Sequence, residues 1–222
     1  MSTPIAIVTG ASSGIGREIA RNLSADHEVH GLGRNEQNLA ALARDAGVVP
    51  HTVDLRDNAA LASVAASFDR VDVLVHAAAV FERHTVEDAQ YEDWQKHFET
   101  NVFAPAELTR LLLPALRRAE ANIVFINSGA GRRSVPGHTI YSASKYALLA
   151  IADGLRHDLA PENIRVSTVS PGPTQTPGGD RDGGGYTQKS DPRTVAEAVR
   201  WVVTAPGDSQ ITELWVRPRN EG

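Results

Sequence analysis

Apolar positions along this chain fall into two alternating rhythms. Short runs rich in valine and isoleucine read as buried strands: 4–9 (PIAIVT), 28–33 (EVHGLG), 49–55 (VPHTVDL), 71–80 (VDVLVHAAAV), 121–128 (ANIVFINS), 164–170 (IRVSTVS) and 211–216 (ITELWV). Between them, apolar residues recur every three or four positions. That period predicts helices from a glycine-rich turn to about residue 25, and over 35–46, 58–68, 91–101, 102–119, 140–160 and 192–204. Strands separated by helices of this length imply crossover connections. The predicted fold is therefore α/β, a Rossmann-type doubly wound parallel sheet of about seven strands with helices on both faces. No internal repeat or linker divides it, so residues 1–222 are expected to form one domain. One segment breaks the rhythm: 177–190 (PGGDRDGGGYTQKS) holds five glycines, and 173–190 is expected to be a mobile, non-helical loop.

Composition narrows the function classes. With 222 residues there is ample material for one core. A net charge of −5 and no basic stripe argue against a nucleic-acid partner. The absence of cysteine excludes disulfides and thiolate metal sites, and no metal is expected; the usage fits a reducing, cytoplasmic setting. The start, MSTPIAIVTGASSG, has neither a basic leader nor a long apolar run, and no stretch approaches the ~18 apolar residues of a membrane span. No membrane partner is expected.

Two stretches carry candidate chemistry. The first is the turn after the first strand, Gly10-Ala-Ser12-Ser13-Gly14-Ile15-Gly16, placed directly before a helix. Glycines let the backbone turn tightly and approach a ligand, while the helix start offers unpaired N–H groups and partial positive charge to a phosphate. Its G-x₃-G-x-G spacing is not the commoner dinucleotide fingerprint. The second is YSASK, where Tyr141 and Lys145 stand four residues apart and stack on one helix face. Alone, that pair is either an acid beside a tuning cation or a plain helix surface.

Together with TGASSGIG and YSASK, further residues in order make the chain resemble the classical short-chain dehydrogenase/reductase family over nearly its whole length. The resemblance implies that Asp54, with Leu55 after it, contacts the adenine ring, and that Asn101, Ser128, Tyr141 and Lys145 form a catalytic tetrad. It also implies that Ala77 and Ala78 line the cofactor site, and that SPGPTQT (Pro171, Gly172, Thr174, Thr176) holds the nicotinamide carboxamide. Asn101 would bend its helix locally and hold a water linking Lys145 to solvent. Singly, Ser128, Asn101 and Asp54 have blander readings as a strand-end hydroxyl, a helix cap and a strand terminator. Where the family usually has N-N-A-G this chain reads HAAA (76–79), so a hydrogen bond that supports the sheet in relatives is missing. His76 reads either as a third titrating group or, as a histidine after a buried strand more commonly is, as a hydrogen-bonded core residue.

The residue types suit hydride chemistry. Tyrosine titrates near ~10, and a Lys145 ammonium one turn away is expected to favour the phenolate. Ser128 can hydrogen-bond the substrate oxygen. The expected activity is interconversion of an alcohol and a carbonyl on a small molecule; the alternative is a non-catalytic NADP(H)-binding sensor or scaffold. Strand two ends with Gly33 where an NAD enzyme needs a carboxylate, and Arg34 follows, ready to grip a 2′-phosphate. NADP(H) is thus expected over NAD(H), moderately, because the glycine loop carries Ser13 and not a second basic residue. Pocket walls are expected from 80–83, 129–138 and 173–190, with Arg83, Arg132, Arg133 and His138 available to an acidic substrate. The helices at 102–119 and 140–160 are apolar beyond one stripe, which predicts a homodimer or homotetramer.

Overall fold

A computed structural model describes residues 3–181 and 188–220. Seven strands lie in one sheet in the order β3-β2-β1-β4-β5-β6-β7, every pair parallel. They are β1 (Ile5–Thr9), β2 (Glu28–Gly33), β3 (Val49–Thr52), β4 (Val73–His76), β5 (Asn122–Ile126), β6 (Arg165–Pro171) and β7 (Glu213–Val216). The sheet order reverses between β1 and β4, which makes the carboxyl edge at those two strands the switch point where a ligand sits. Pro50 has no N–H to give the ladder, and it falls on edge strand β3, where that omission is tolerated.

Alternate strand residues feed two cores. Ile7, Leu74, Ile123 and Phe125 face the layer of α3 (Asn58–Ala65), α5 (Ala104–Arg117) and α6 (Thr139–Leu159). Ala6, Val8, Val75 and Val124 face α1 (Gly14–Leu23), α2 (Glu36–Ala46) and α8 (Pro192–Val203). Local chemistry marks the helix ends. Asn35 accepts from the Asn38 amide at 2.9 Å, Asp57 accepts from Ala59 and Ala60, and Gly47 closes α2 in the left-handed region with φ 68°.

Two segments depart from the expected elements. Residues 91–117 are one nearly continuous helix: α4 (Tyr91–Phe98) runs into a π turn at Glu99–Phe103 and on into α5, so Asn101 sits in a local underwinding. The glycine-rich segment is not wholly loop, because α7 (Pro177–Arg181) is helical. Thr176 caps it, accepting from the Gly179 amide at 3.1 Å, and Pro177 at the first helical position is pre-set for the turn. The two ends of the expected mobile loop are tied together, the Gln175 amide donating to the Ser190 carbonyl at 2.9 Å and the Ser190 amide to the Pro173 carbonyl at 2.8 Å, and residues 182–187 of it lie outside the described residues.

Candidate active site

A cavity of about 630 Å³ opens at the carboxyl edge of the sheet. Its floor is the turn between β1 and α1. Gly10 has φ +70°, and a Cβ there would stand 2.8 Å from the backbone of Ala78; a Cβ on Gly16 would stand 2.5 Å from the Gly10 carbonyl oxygen. No side chain fits either position, so the loop folds tightly only with glycine. Ser13, at the N-cap of α1, makes no side-chain capping bond, so its hydroxyl is not spent on the helix start. The alanines of HAAA are supported from the neighbouring strand. The Thr9 hydroxyl accepts from the amides of Ala77 (3.1 Å) and Ala78 (3.2 Å) and donates to the Val75 carbonyl at 3.4 Å.

At one end the cavity is walled by Ser12, Gly33, Arg34, Val53, Asp54 and Leu55. Asp54 is gripped by Arg56 through its guanidinium at 2.7 Å and 3.1 Å and its amide at 3.0 Å. That grip, with a smaller contribution from the Arg34 charge, holds its carboxyl down at about 2.

At the other end stand Ser128, Tyr141 and Lys145, with Pro171, Gly172, Thr174 and Thr176 opposite. Ser128 ends the extended chain after β5 and accepts from the Ala130 amide at 3.2 Å. Lys145 donates to the Ile126 carbonyl at 2.9 Å. Burial governs both titrating groups: it pushes the Tyr141 phenol up to about 12, the nearby Ser128 hydroxyl acting the other way, and the Lys145 ammonium down to about 7. The phenol shift runs opposite to the lowering expected from Lys145.

Each expected cofactor residue lines this one cavity, and Ser128, Tyr141 and Lys145 do as well. Asn101 does not. It is fully buried, accepts from the Val80 amide (2.7 Å), and donates to the Val80 carbonyl and the Ser144 hydroxyl (both 3.0 Å); Ser144 in turn donates to the Tyr141 carbonyl. Its bonds brace the strand β4 loop against the tyrosine helix, and its link to Lys145 is indirect. His76 is the core residue expected. The Thr109 hydroxyl gives its proton to the Pro105 carbonyl, so His76 Nε2 must donate to Thr109 at 2.9 Å. The ring stacks on Phe125 at 4.8 Å, and burial holds its pKa near 3, so it stays neutral.

Of the four basic residues expected at an acidic substrate, the cavity receives Arg133 and His138. Arg132 turns away to Glu213 at 2.8 Å, and Arg83 packs over Gly137. Sequence reasoning missed two contributors, Asn127 and Arg217, and left Phe81 and Lys189 unnamed inside the walls it expected. Phe81 stacks on His138 at 4.9 Å and edge-on against Tyr141 at 4.7 Å. Asn127 donates to the Lys145 carbonyl and accepts from the Ser128 amide, tying the two elements together. Lys189 and Arg217 also line the cavity. Arg217 directly follows a strand's carboxyl end, which was the available signal for it.

Comparison with known proteins shows the family and the fold. The family profile described as short chain dehydrogenase matches residues 4–183. An uncharacterized oxidoreductase of Staphylococcus saprophyticus is 32% identical over 96% of this chain and 97% of its own. A short-chain dehydrogenase structure from Streptomyces avermitilis superposes with a TM-score of 0.87 at 30% identity, covering 97% of this chain and 88% of that one. A closed form of serine dehydrogenase complexed with NADP+ superposes with a TM-score of 0.89 at 29% identity, covering 96% and 94%.

Proposed function

The chain belongs to the short chain dehydrogenase family of oxidoreductases, and from that premise we propose that it interconverts an alcohol and a carbonyl on a small molecule, using NADP(H) with Tyr141 as acid and base. One observation carries the reading: Ser128, Tyr141 and Lys145 converge at one end of a cavity whose other end is Arg34 and whose floor is the start of α1.

The residues fit a dinucleotide. The cradle at Gly10 and Gly16 leaves room for backbone approach, the α1 start suits a pyrophosphate, and the bare Gly33 beside Arg34 suits a 2′-phosphate. The serine dehydrogenase neighbour was solved with NADP+, which supports the same choice here. When bound, the dinucleotide supplies or accepts the hydride.

The chain's own part is the proton. A phenol near 12 is neutral at pH 7, so Tyr141 holds the proton that a reduced carbonyl oxygen takes up. Ser128 donates a second hydrogen bond to that oxygen as charge grows on it. Lys145 titrates near 7, and its ammonium form stabilises the phenolate left behind. In the alcohol-to-carbonyl direction the same phenolate takes the proton back. A sensor or scaffold on this fold needs the glycine cradle but has no use for a serine, tyrosine and lysine together at the cavity's other end.

The test is a panel of ketones and alcohols followed by nicotinamide absorbance, with Tyr141→Phe beside the wild type. The variant is expected to fold and bind cofactor but to lose at least ~10²-fold in turnover, the usual scale for a positioned acid. Retention of more than about a tenth of the activity would remove Tyr141 from the role.

A further inference from the structure

The chain that leaves β4 passes the cavity and then runs against α4. Val80 and Phe81 line the cavity, while Glu82 and His84 meet α4 at Lys96 and Asp93. Residues 82 and 84 share one side of this extended run, and Phe81 takes the other, edge-on to Tyr141. On α4, Asp93 and His97 stand four residues apart on one helix face. One ligand atom from each of Glu82, His84 and Asp93 can be chosen so that all three lie within 4.8 Å of one another, and all three residues are partly exposed.

Contacts within this cluster leave lone pairs unused. Lys96 donates to Glu82 Oε1 at 2.6 Å, and Glu82 Oε2 stands 3.7 Å from His84 Nε2. Asp93 Oδ2 accepts from the Gln90 amide at 3.0 Å and stands 3.6 Å from His84 Nδ1. Separations of 3.6 and 3.7 Å are too long for hydrogen bonds, and His84 Nε2 is buried with no hydrogen-bond partner among the described residues. His97 gives a second, independent sign. It is fully buried, and its Nδ1 faces the Asp93 carbonyl at 2.8 Å; a carbonyl only accepts, so Nδ1 carries the proton and Nε2 the lone pair. That Nε2 also has no hydrogen-bond partner among the described residues, and the ring stands edge-on to His84 with centroids 5.8 Å apart. Burial lowers the His97 pKa, which keeps the lone pair free at neutral pH.

We propose that Glu82, His84 and Asp93 bind a divalent transition-metal cation, zinc fitting best, with water completing its coordination. Zinc bonds of about 2.0–2.2 Å on a tetrahedron put ligand atoms roughly 3.3–3.6 Å apart, and rotation of two partly exposed carboxylates closes separations of up to 4.8 Å to that range. Two carboxylates beside the one Lys96 ammonium leave a net negative charge for the cation, and Lys96 occupies only one oxygen of Glu82. An imidazole among the ligands favours zinc over magnesium and calcium. A metal-bound water is the kind of donor that the His97 lone pair lacks. The absence of cysteine removes thiolate sites only, and this set needs none. The site's role is structural. It ties the run 82–84 to α4, while the His84 carbonyl accepts from the Thr139 amide at 3.4 Å at the start of α6, so the wall that Phe81 gives Tyr141 is fixed from behind.

Calorimetric titration of tag-free, EDTA-stripped protein with zinc, manganese, magnesium and calcium chlorides decides it, in wild type, Glu82→Gln, His84→Gln and His51→Gln. The wild type should bind a single equivalent of zinc with a Kd below ~10 μM, more tightly than magnesium or calcium. Zinc at about a hundredfold excess over Kd should raise the melting temperature by ~5 °C or more. Glu82→Gln and His84→Gln should each weaken zinc by at least ~10-fold. His51→Gln, which alters the separate His30–His51 pair at 2.9 Å, should not. Far-UV circular dichroism and the melting temperature in EDTA show that each variant is folded. A wild type that binds no zinc tighter than ~10 μM overturns the proposal. So do zinc binding that survives in both cluster variants, loss of binding in His51→Gln alone, and tighter binding of magnesium or calcium.

Discussion

The Lys145 ammonium lies 5.7 Å from the centroid of the Tyr141 ring while donating to the carbonyl of Ile126 at 2.9 Å. The pair shares one helix face, as a four-residue spacing requires, but the lysine is anchored on β5 beneath the phenol. Lys145 is buried and Tyr141 half-buried, and desolvation shifts each toward its neutral form. For Lys145 the folded value is about 7 against 10.5 in an unfolded chain. Between those values the unfolded chain binds more protons, so stability contributed by this residue rises with pH across that window and is lowest below 7.

The expected outcome is a difference in unfolding free energy between wild type and Lys145→Met that changes in favour of the wild type by up to ~1.4 kcal/mol per pH unit. Urea titrations should be kept below the tyrosine's ordinary 10.0, because a raised Tyr141 acts with the opposite sign above it. A difference that stays flat with pH would mean that Lys145 is hydrated in solution.

Much of this arrangement was legible in residue order. The seven apolar runs became the seven strands, because a parallel sheet covered on both faces leaves no polar alternation to obscure them. The glycine turn was legible because close backbone approach forces glycine at positions 10 and 16. What escaped the reading depends on three-dimensional neighbours. Burial decides the Tyr141 shift, and no spacing rule reports burial. Thr9 reads as a strand residue until its hydroxyl is seen holding two amides of the next strand's loop. Arg217 lies far along the chain from Ser128, and only the parallel registry of β6 and β7 brings them to one edge.

Thr9 supplies a stability prediction. Its hydroxyl is the side-chain partner of the Ala77 and Ala78 amides in a chain that has no asparagine at position 77. Thr9→Val keeps the shape and removes the acceptor, leaving two N–H groups against apolar atoms. A loss of about 1–3 kcal/mol is expected, the range for orphaned buried donors. Denaturant unfolding with an unchanged midpoint would show that another acceptor or solvent serves these amides.

Assembly is tested on α6. Its outward face carries Tyr146, 46% exposed, and Ala150, with Phe103 of the neighbouring π turn 59% exposed. Gly154 lies on that face mid-helix, where glycine costs about 1 kcal/mol against alanine. Among the described residues nothing beyond its own helix turn lies within 4 Å of where its Cβ would stand, so they give no reason for the missing side chain. A second copy packing its own helices there would need the space. The wild type is expected to sediment as a dimer or tetramer of 23.8 kDa chains, and Gly154→Arg to shift it toward the single-chain species with secondary structure intact. A wild type that is monomeric at micromolar concentration would refute the assembly.

Cofactor choice turns on Gly33 and Arg34. A carboxylate at the end of β2 would accept from the ribose 2′-hydroxyl of NAD and repel a 2′-phosphate; this chain has no side chain there and a guanidinium next to it. The close contact at this point is with the glycine loop: a Cβ on Gly33 would stand 3.0 Å from the Ser12 hydroxyl. Any substitution at 33 therefore moves Ser12 slightly as well as changing charge, and Gly33→Ala separates the two effects. The wild type is expected to favour NADP(H) by at least ~10-fold in kcat/KM, about 1.4 kcal/mol. Gly33→Ala should weaken both cofactors by a similar factor, since a displaced Ser12 does not distinguish a hydroxyl from a phosphate at the ribose. The double variant Gly33→Asp/Arg34→Asn should reverse the order, because it installs the acceptor and removes the phosphate's partner together. A wild type that prefers NAD would leave Arg34 as a solvated helix-start residue and end the NADP(H) assignment, while the hydride chemistry at Tyr141 would stand unaffected.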